Sequence, residues 1–151
     1  MHRRAQISCI AWFVVSAGIL FLPSCKSEPV WVQQEVKAET QAASLQGVTW
    51  TLVTMNGHGA SPKNPLTIEF GADWTVTGSG GINRFSGSCT TATGEVRFTP
   101  MVATKMGGSP ERMKMEQEYF DAIAQVRNFS LQGGLLRLRD DSKKTILEFS
   151  R

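Results

Sequence analysis

From Leu45 onward, apolar residues recur at every second position in short runs, the spacing of strands with one buried face. Val48-Thr49-Trp50-Thr51-Leu52-Val53 sets β-branched residues against large apolar ones, and Asn56-Gly57-His58-Gly59 breaks the run. Leu66-Thr67-Ile68-Glu69-Phe70 alternates cleanly, with Leu66, Ile68 and Phe70 facing in. Gly71-Ala72-Asp73 then turns the chain into Trp74-Thr75-Val76-Thr77-Gly78. Further short strands are predicted at 84–91, 96–98, 129–131, 135–138 and 145–149. Gly133-Gly134 reads as a tight hairpin, and Asp140-Asp141-Ser142-Lys143 joins the last two strands. One stretch changes period. Met115, Tyr119, Ala122, Ile123 and Val126 fall on one helical face, with Ser109 as cap, Pro110 in the first turn and Asn128 as the stop. The pattern predicts an α+β domain: a curled antiparallel β meander, a partly open barrel-like sheet, packed around one amphipathic helix.

The chain ahead of Leu45 follows a different rule. Arg3 and Arg4 precede sixteen uncharged residues, Ile7 to Leu22, and the run ends at Pro23-Ser24-Cys25. A bilayer span needs roughly 20 apolar residues, so this shorter run suits a cleaved export signal. Leu22-Pro23-Ser24-Cys25 resembles the lipobox of bacterial lipoproteins, although Pro23 is a less usual choice. That resemblance implies cleavage before Cys25 and a lipid on its thiol; simple cleavage or an uncleaved anchor are the alternatives. Lys26, in place of Asp, points to the outer membrane by analogy with enteric lipoproteins. Residues 26–44 are polar or small with no lasting apolar period, and read as a tether. The expected organisation is a signal at 1–24, a lipidated Cys25 and tether at 25–44, and one domain at 45–151.

Charge narrows the partners. The formal net charge is +3, but Arg3 and Arg4 lie in the signal, and residues 25–151 hold 14 basic against 13 acidic side chains. A nearly neutral domain lacks the basic stripe that nucleic acid requires. Of the three cysteines, Cys9 leaves with the signal and Cys25 is the lipid acceptor, so Cys89 is the remaining thiol and no intramolecular disulfide is expected.

Few residues carry candidate chemistry. Gly78-Ser79-Gly80-Gly81 lacks the Gly-Lys-Ser/Thr ending of a phosphate loop and opens no helix, so a bend at a barrel corner is the better reading. Asn83 and Arg84 follow it. Glu116 borders the buried face of the helix, and Arg84 is its expected partner, with Asn83 as a further donor. The alternative is an Arg84 that grips a ligand. A nucleophilic Cys89 would need a base, and His58, the only histidine beyond the signal, is not tied to it by any motif. One histidine and one thiol offer no metal cluster. Met101, Met106, Met113 and Met115 read as core filling ahead of soft-metal ligands.

Five pieces in order resemble the META domain, also called the HslJ-like family. They are Trp50-Thr51-Leu52, Leu66-Thr67-Ile68-Glu69-Phe70, the segment Gly78-Ser79-Gly80-Gly81-Ile82-Asn83-Arg84-Phe85-Ser86-Gly87-Ser88, Thr104-Lys105-Met106, and Met115-Glu116-Gln117-Glu118-Tyr119 ahead of a Leu-rich hairpin. The resemblance implies a β-rich fold around a helix, export, frequent lipid anchoring and a link to envelope stress. It implies no catalytic activity. The family often has cysteines where this chain has Ile82 and Gly108, so both partners of its probable disulfide are missing together. The expectation is a lipid-anchored, monomeric, non-enzymatic envelope module without cofactor or metal. It would bind the membrane through Cys25 and an envelope protein or lipid through its domain. A thiol-dependent enzyme or redox protein using Cys89, or a purely structural assembly factor, are the alternatives.

Overall fold

The structure is a computed structural model and describes residues 29–60 and 63–151. The export run, Cys25 and Lys26 lie outside the described residues. The first element is a helix, α1 (Val30–Ala43), inside the stretch read as a tether. Gln, Glu, Lys and Ala make it helical by intrinsic propensity, without the apolar stripe that periodicity would detect. Its end is fastened to the domain. Leu45 is fully buried, and its carbonyl accepts the indole N–H of Trp50 at 3.1 Å.

Ten strands follow: β1 (Thr49–Met55), β2 (His58–Gly59), β3 (Thr67–Phe70), β4 (Thr75–Ser79), β5 (Arg84–Ala92), β6 (Glu95–Phe98), β7 (Val102–Ala103), β8 (Asn128–Gln132), β9 (Leu135–Arg139) and β10 (Thr145–Ser150). Eight of them form a ring in the order β1-β3-β4-β5-β6-β8-β9-β10, closed by an antiparallel pairing of β10 with β1. The sheet expected to stay partly open therefore closes. Its thinnest seam is β6 to β8, where Glu95 faces Asn128 and two backbone bonds flank the pair, Val96 N–H to Arg127 O and Phe129 N–H to Gly94 O, both 3.0 Å. The two-residue strands β2 and β7 add to β1 and β5. Neither is long enough to leave an alternation in the sequence.

Inward positions obey the period of two. Trp50 and Leu52, Ile68 and Phe70, Val76, Phe85 and Cys89, Val96, Phe129, Leu136 and Leu138, and Leu147 and Phe149 are all buried. Burying one such side chain contributes roughly 1.5–3 kcal/mol, so this ring of apolar residues is the main stabilising term. Gly133 and Gly134 take φ +60° and +78°, both left-handed, as a two-residue hairpin turn between β8 and β9 requires.

The helix α2 (Pro110–Gln125) is capped by Ser109, whose hydroxyl accepts the Arg112 N–H at 3.5 Å. It ends before Asn128. Val126 turns extended and is fully buried, Arg127 donates to the carbonyls of Ala124 and Val126, and Asn128 already belongs to β8. Tyr119 fixes the helix to the barrel. Its ring meets Phe85 on β5 at 6.0 Å and Phe149 on β10 at 6.4 Å, and those strands lie on opposite sides of the ring. The Tyr119 hydroxyl donates to the Thr67 carbonyl of β3 at 3.2 Å. One side chain thus spans the barrel interior, which the helix fills.

Candidate functional site

The glycine-rich segment is the loop of the β4–β5 hairpin, residues 80–83, and α2 lies against it. An ideal Cβ on Gly80 would sit 2.6 Å from Glu116 Oε1 and 3.0 Å from the Phe120 ring, so glycine is what lets the helix approach. The loop's amides are all used. Gly80 N–H donates to Asn83 O at 2.8 Å and Gly81 N–H to Ser79 Oγ at 3.2 Å. Ile82 and Asn83 N–H both donate to Glu116 Oε1, at 3.2 and 2.7 Å. Glu116 therefore acts as a turn cap supplied by another element, satisfying donors that the hairpin cannot satisfy itself.

Asn83 completes the arrangement. Its Nδ2 donates to Glu116 Oε2 at 2.6 Å and to the Met106 carbonyl at 3.3 Å. Its Oδ1 accepts the Thr104 hydroxyl at 2.8 Å and the Met106 N–H at 2.7 Å. All four hydrogen-bonding positions of the amide are filled. Asn83 and Glu116 are the buried polar residues among those described, each 7% exposed. They join the hairpin loop, the 104–106 segment and α2.

Arg84 is not the partner of Glu116. Asn83 and Phe85 point inward, so the strand period places Arg84 outward, where it is exposed. The carboxylate takes neutral amide donors instead of a guanidinium. The arginine that does reach the loop is Arg112, whose Nη2 donates to the Gly81 carbonyl at 2.6 Å. Sequence reasoning missed it, although it lies four residues before Glu116 and so on the same helical face. Thr104 was also missed as a partner; its hydroxyl accepts the Arg84 N–H at 3.2 Å and donates to Asn83 Oδ1.

Ile82 and Gly108 meet across the same junction. An ideal Cβ on Gly108 would lie 2.5 Å from Ile82 Cδ1. The isoleucine side chain occupies the space that a bridge between these positions would take.

The remaining reactive groups stand apart. Cys89 faces the core from β5 and is 4% exposed, and burial pushes its thiol up to about 11. A nucleophilic cysteine needs the opposite shift. His58 sits on β2, an exposed strand that among the described residues pairs with β1 alone. Among the described residues no group of three or more His, Cys, Asp or Glu side chains is placed to hold a metal ion. Nor is any described helix long and apolar enough to cross a membrane. Met115 is half-buried against the core, whereas Met106 and Met113 are exposed.

Solved structures share this architecture. A protein solved by NMR is 26% identical with a TM-score of 0.58, the match covering 72% of this chain and 92% of that one. A second NMR structure, of a protein from Burkholderia xenovorans, is 21% identical with a TM-score of 0.61 over 74% of this chain and 86% of that one. The crystal structure of a DUF4847 family protein from Bacteroides vulgatus is 20% identical with a TM-score of 0.53, covering 70% and 93%. The latter two speak to the fold alone. No curated protein is similar enough to count as a match. The model of the META domain matches residues 43–151, which takes in the whole barrel, the hairpin loop with Asn83 and the helix with Glu116. The chain belongs to the META domain family.

Proposed function

We propose that the protein is a lipid-anchored protein of the cell envelope whose META domain is a non-enzymatic binding or stress-protection module. The observation that carries the second half is the fate of the polar interior: Asn83 has every amide position taken, and Glu116 accepts three bonds in holding the hairpin loop to α2. A general acid or base needs a proton position open to a substrate; Asn83 has none, and Glu116 is 7% exposed with three bonds already on its carboxylate. The domain acts through its outer surface. The anchor rests on the apolar run that ends at Leu22-Pro23-Ser24-Cys25, and Lys26 favours the outer membrane, facing the periplasm. Several acyl chains at roughly 0.8 kcal/mol per buried CH₂ hold such a protein at the membrane.

The competing reading, a thiol-dependent enzyme or redox protein, would have to work through Cys89. Its burial and raised thiol weigh against it. A structural assembly role at the membrane shares every feature of the first reading except a ligand. Fatty-acid labelling of cells tests the anchor: wild type should carry the label and Cys25→Ser should lose both label and membrane association. A Cys25→Ser protein that remains labelled overturns the assignment.

A further inference from the structure

The outer face of β3, β4 and β5 carries a hollow of about 480 Å³ lined by Thr67, Thr77, Gly78, Ser79, Arg84 and Phe85. Register sets its polar groups in a line. Thr67 lies opposite Ser79, and Ser79 opposite Arg84, so two hydroxyls and a guanidinium stand side by side across three strands. Thr77 adds a third hydroxyl from the next row, where it faces Glu69 on one side and Ser86 on the other. On the inner side of the sheet the Phe85 ring lies against Gly78, packed with Tyr119 and Phe120.

Arg84 differs from an arginine elsewhere on the same barrel. Arg137 on β9 faces Glu148 on β10 and forms an ion pair at 2.7 Å. Arg84 faces Ser79, and its guanidinium makes no ion pair or hydrogen bond among the described residues. The carboxylate of Glu69, one row on, accepts the Thr49 hydroxyl instead. A planar guanidinium with free donors matches a carboxylate with two parallel bonds, and a row of short hydroxyls can both donate to and accept from neighbouring hydroxyls.

We propose that this hollow binds an acidic saccharide, with Arg84 gripping its carboxylate and Thr67, Thr77 and Ser79 holding its hydroxyls. The proposal rests on the non-enzymatic binding reading of the domain and not on the lipid anchor. Its failure would leave Cys25 and the inert thiol as they stand.

The test is a titration of the full chain in detergent, followed by amide NMR, with glucuronate, glucose and acetate as three separate ligands. Glucuronate should give saturable shifts at Thr67, Thr77, Ser79 and Arg84, and bind more tightly than glucose or acetate. Arg84→Gln should weaken glucuronate about tenfold or more, the equivalent of one charge-assisted contact, at unchanged melting temperature. Arg84→Lys should fall between, because it keeps the charge and loses the paired geometry. Thr77→Val should also bind more weakly, which supports the site independently of position 84. Absence of saturable shifts with glucuronate overturns the proposal, as does undiminished affinity in Arg84→Gln. Acetate binding as tightly as glucuronate overturns the saccharide assignment.

Discussion

The Asn83 amide nitrogen lies 2.6 Å from Glu116 Oε2 while the Asn83 backbone N–H, 2.7 Å from Oε1, holds the other oxygen of the same carboxylate. One residue thus engages both ends of a buried carboxylate, and the hairpin loop cannot shift relative to α2 without breaking both bonds. Arg84, the next residue, takes no part, and this makes its substitution informative. Arg84→Ala should change stability by no more than about 0.5 kcal/mol in urea unfolding, the range of an exposed side chain without partners. A loss of several kcal/mol would mean that the guanidinium reaches Glu116 after all.

Asn83→Asp is nearly isosteric and should be severely destabilising at neutral pH. The new oxygen would replace a donor with an acceptor facing Glu116 Oε2 and the Met106 carbonyl. Two carboxylates at that distance favour a shared proton, which raises a folded-state pKa above the unfolded value of about 4. A raised value contributes stability that is present below the unfolded pKa and lost as pH rises through the folded one. The variant should therefore recover stability relative to wild type as pH falls from 7 to 4. A constant gap between the two unfolding curves over that range would exclude this geometry.

Positions 82 and 108 stand close enough to be joined. In a 43–151 fragment, Ile82→Cys with Gly108→Cys should form an intramolecular disulfide, closing a loop of intermediate length and stabilising by roughly 2–4 kcal/mol. The melting temperature of the double variant should drop on reduction, while that of the unmodified fragment, whose sole thiol is Cys89, should not move. Two persistently free thiols in the oxidised double variant would show that the side chains at these positions do not converge.

Cys89 should behave as a core residue. Its thiol is raised to about 11 against an ordinary value of 9.0. The folded state therefore prefers the protonated thiol, and the stability this contributes is intact below pH 9 and lost as pH climbs through 9 to 11. A thiol reagent at pH 8 should modify the native domain far more slowly than the urea-unfolded chain. Equal rates in both states would revive the thiol-dependent reading.

Much of the barrel is readable in the alternation of residues such as Ile68 and Phe70 or Leu136 and Leu138, because one face of each strand is buried and the other is wet. The parts that escaped have physical reasons. The helix α1 has good helix formers but no apolar stripe, and β7 is two residues long. The burial of Glu116 follows from its place on the helical wheel, but its partner does not. Charge complementarity favours Arg84 on paper, whereas strand alternation turns Asn83 inward and Arg84 out. Closure of the ring depends on β10 meeting β1, a contact between the first and last strands that no local pattern encodes. Arg112 shares the helical face of Glu116, but what brings it and Thr104 to the loop, 31 and 21 residues away from their partners, is the fold.

A double-mutant cycle between positions 83 and 116 tests most directly whether this polar cluster is scaffold. Glu116→Ala strands the amides of Ile82 and Asn83 and the Asn83 side chain, and Asn83→Ala strands Glu116 Oε2 and the Met106 backbone. With roughly 1–3 kcal/mol for each buried group left unpaired, each single variant should lose about 3–5 kcal/mol in urea unfolding of the 43–151 fragment. The double variant should lose well under the sum, with a coupling of about 1 kcal/mol or more. Near-wild-type stability in Glu116→Ala, or strict additivity of the pair, would contradict the account and return Glu116 to the pool of residues available for chemistry.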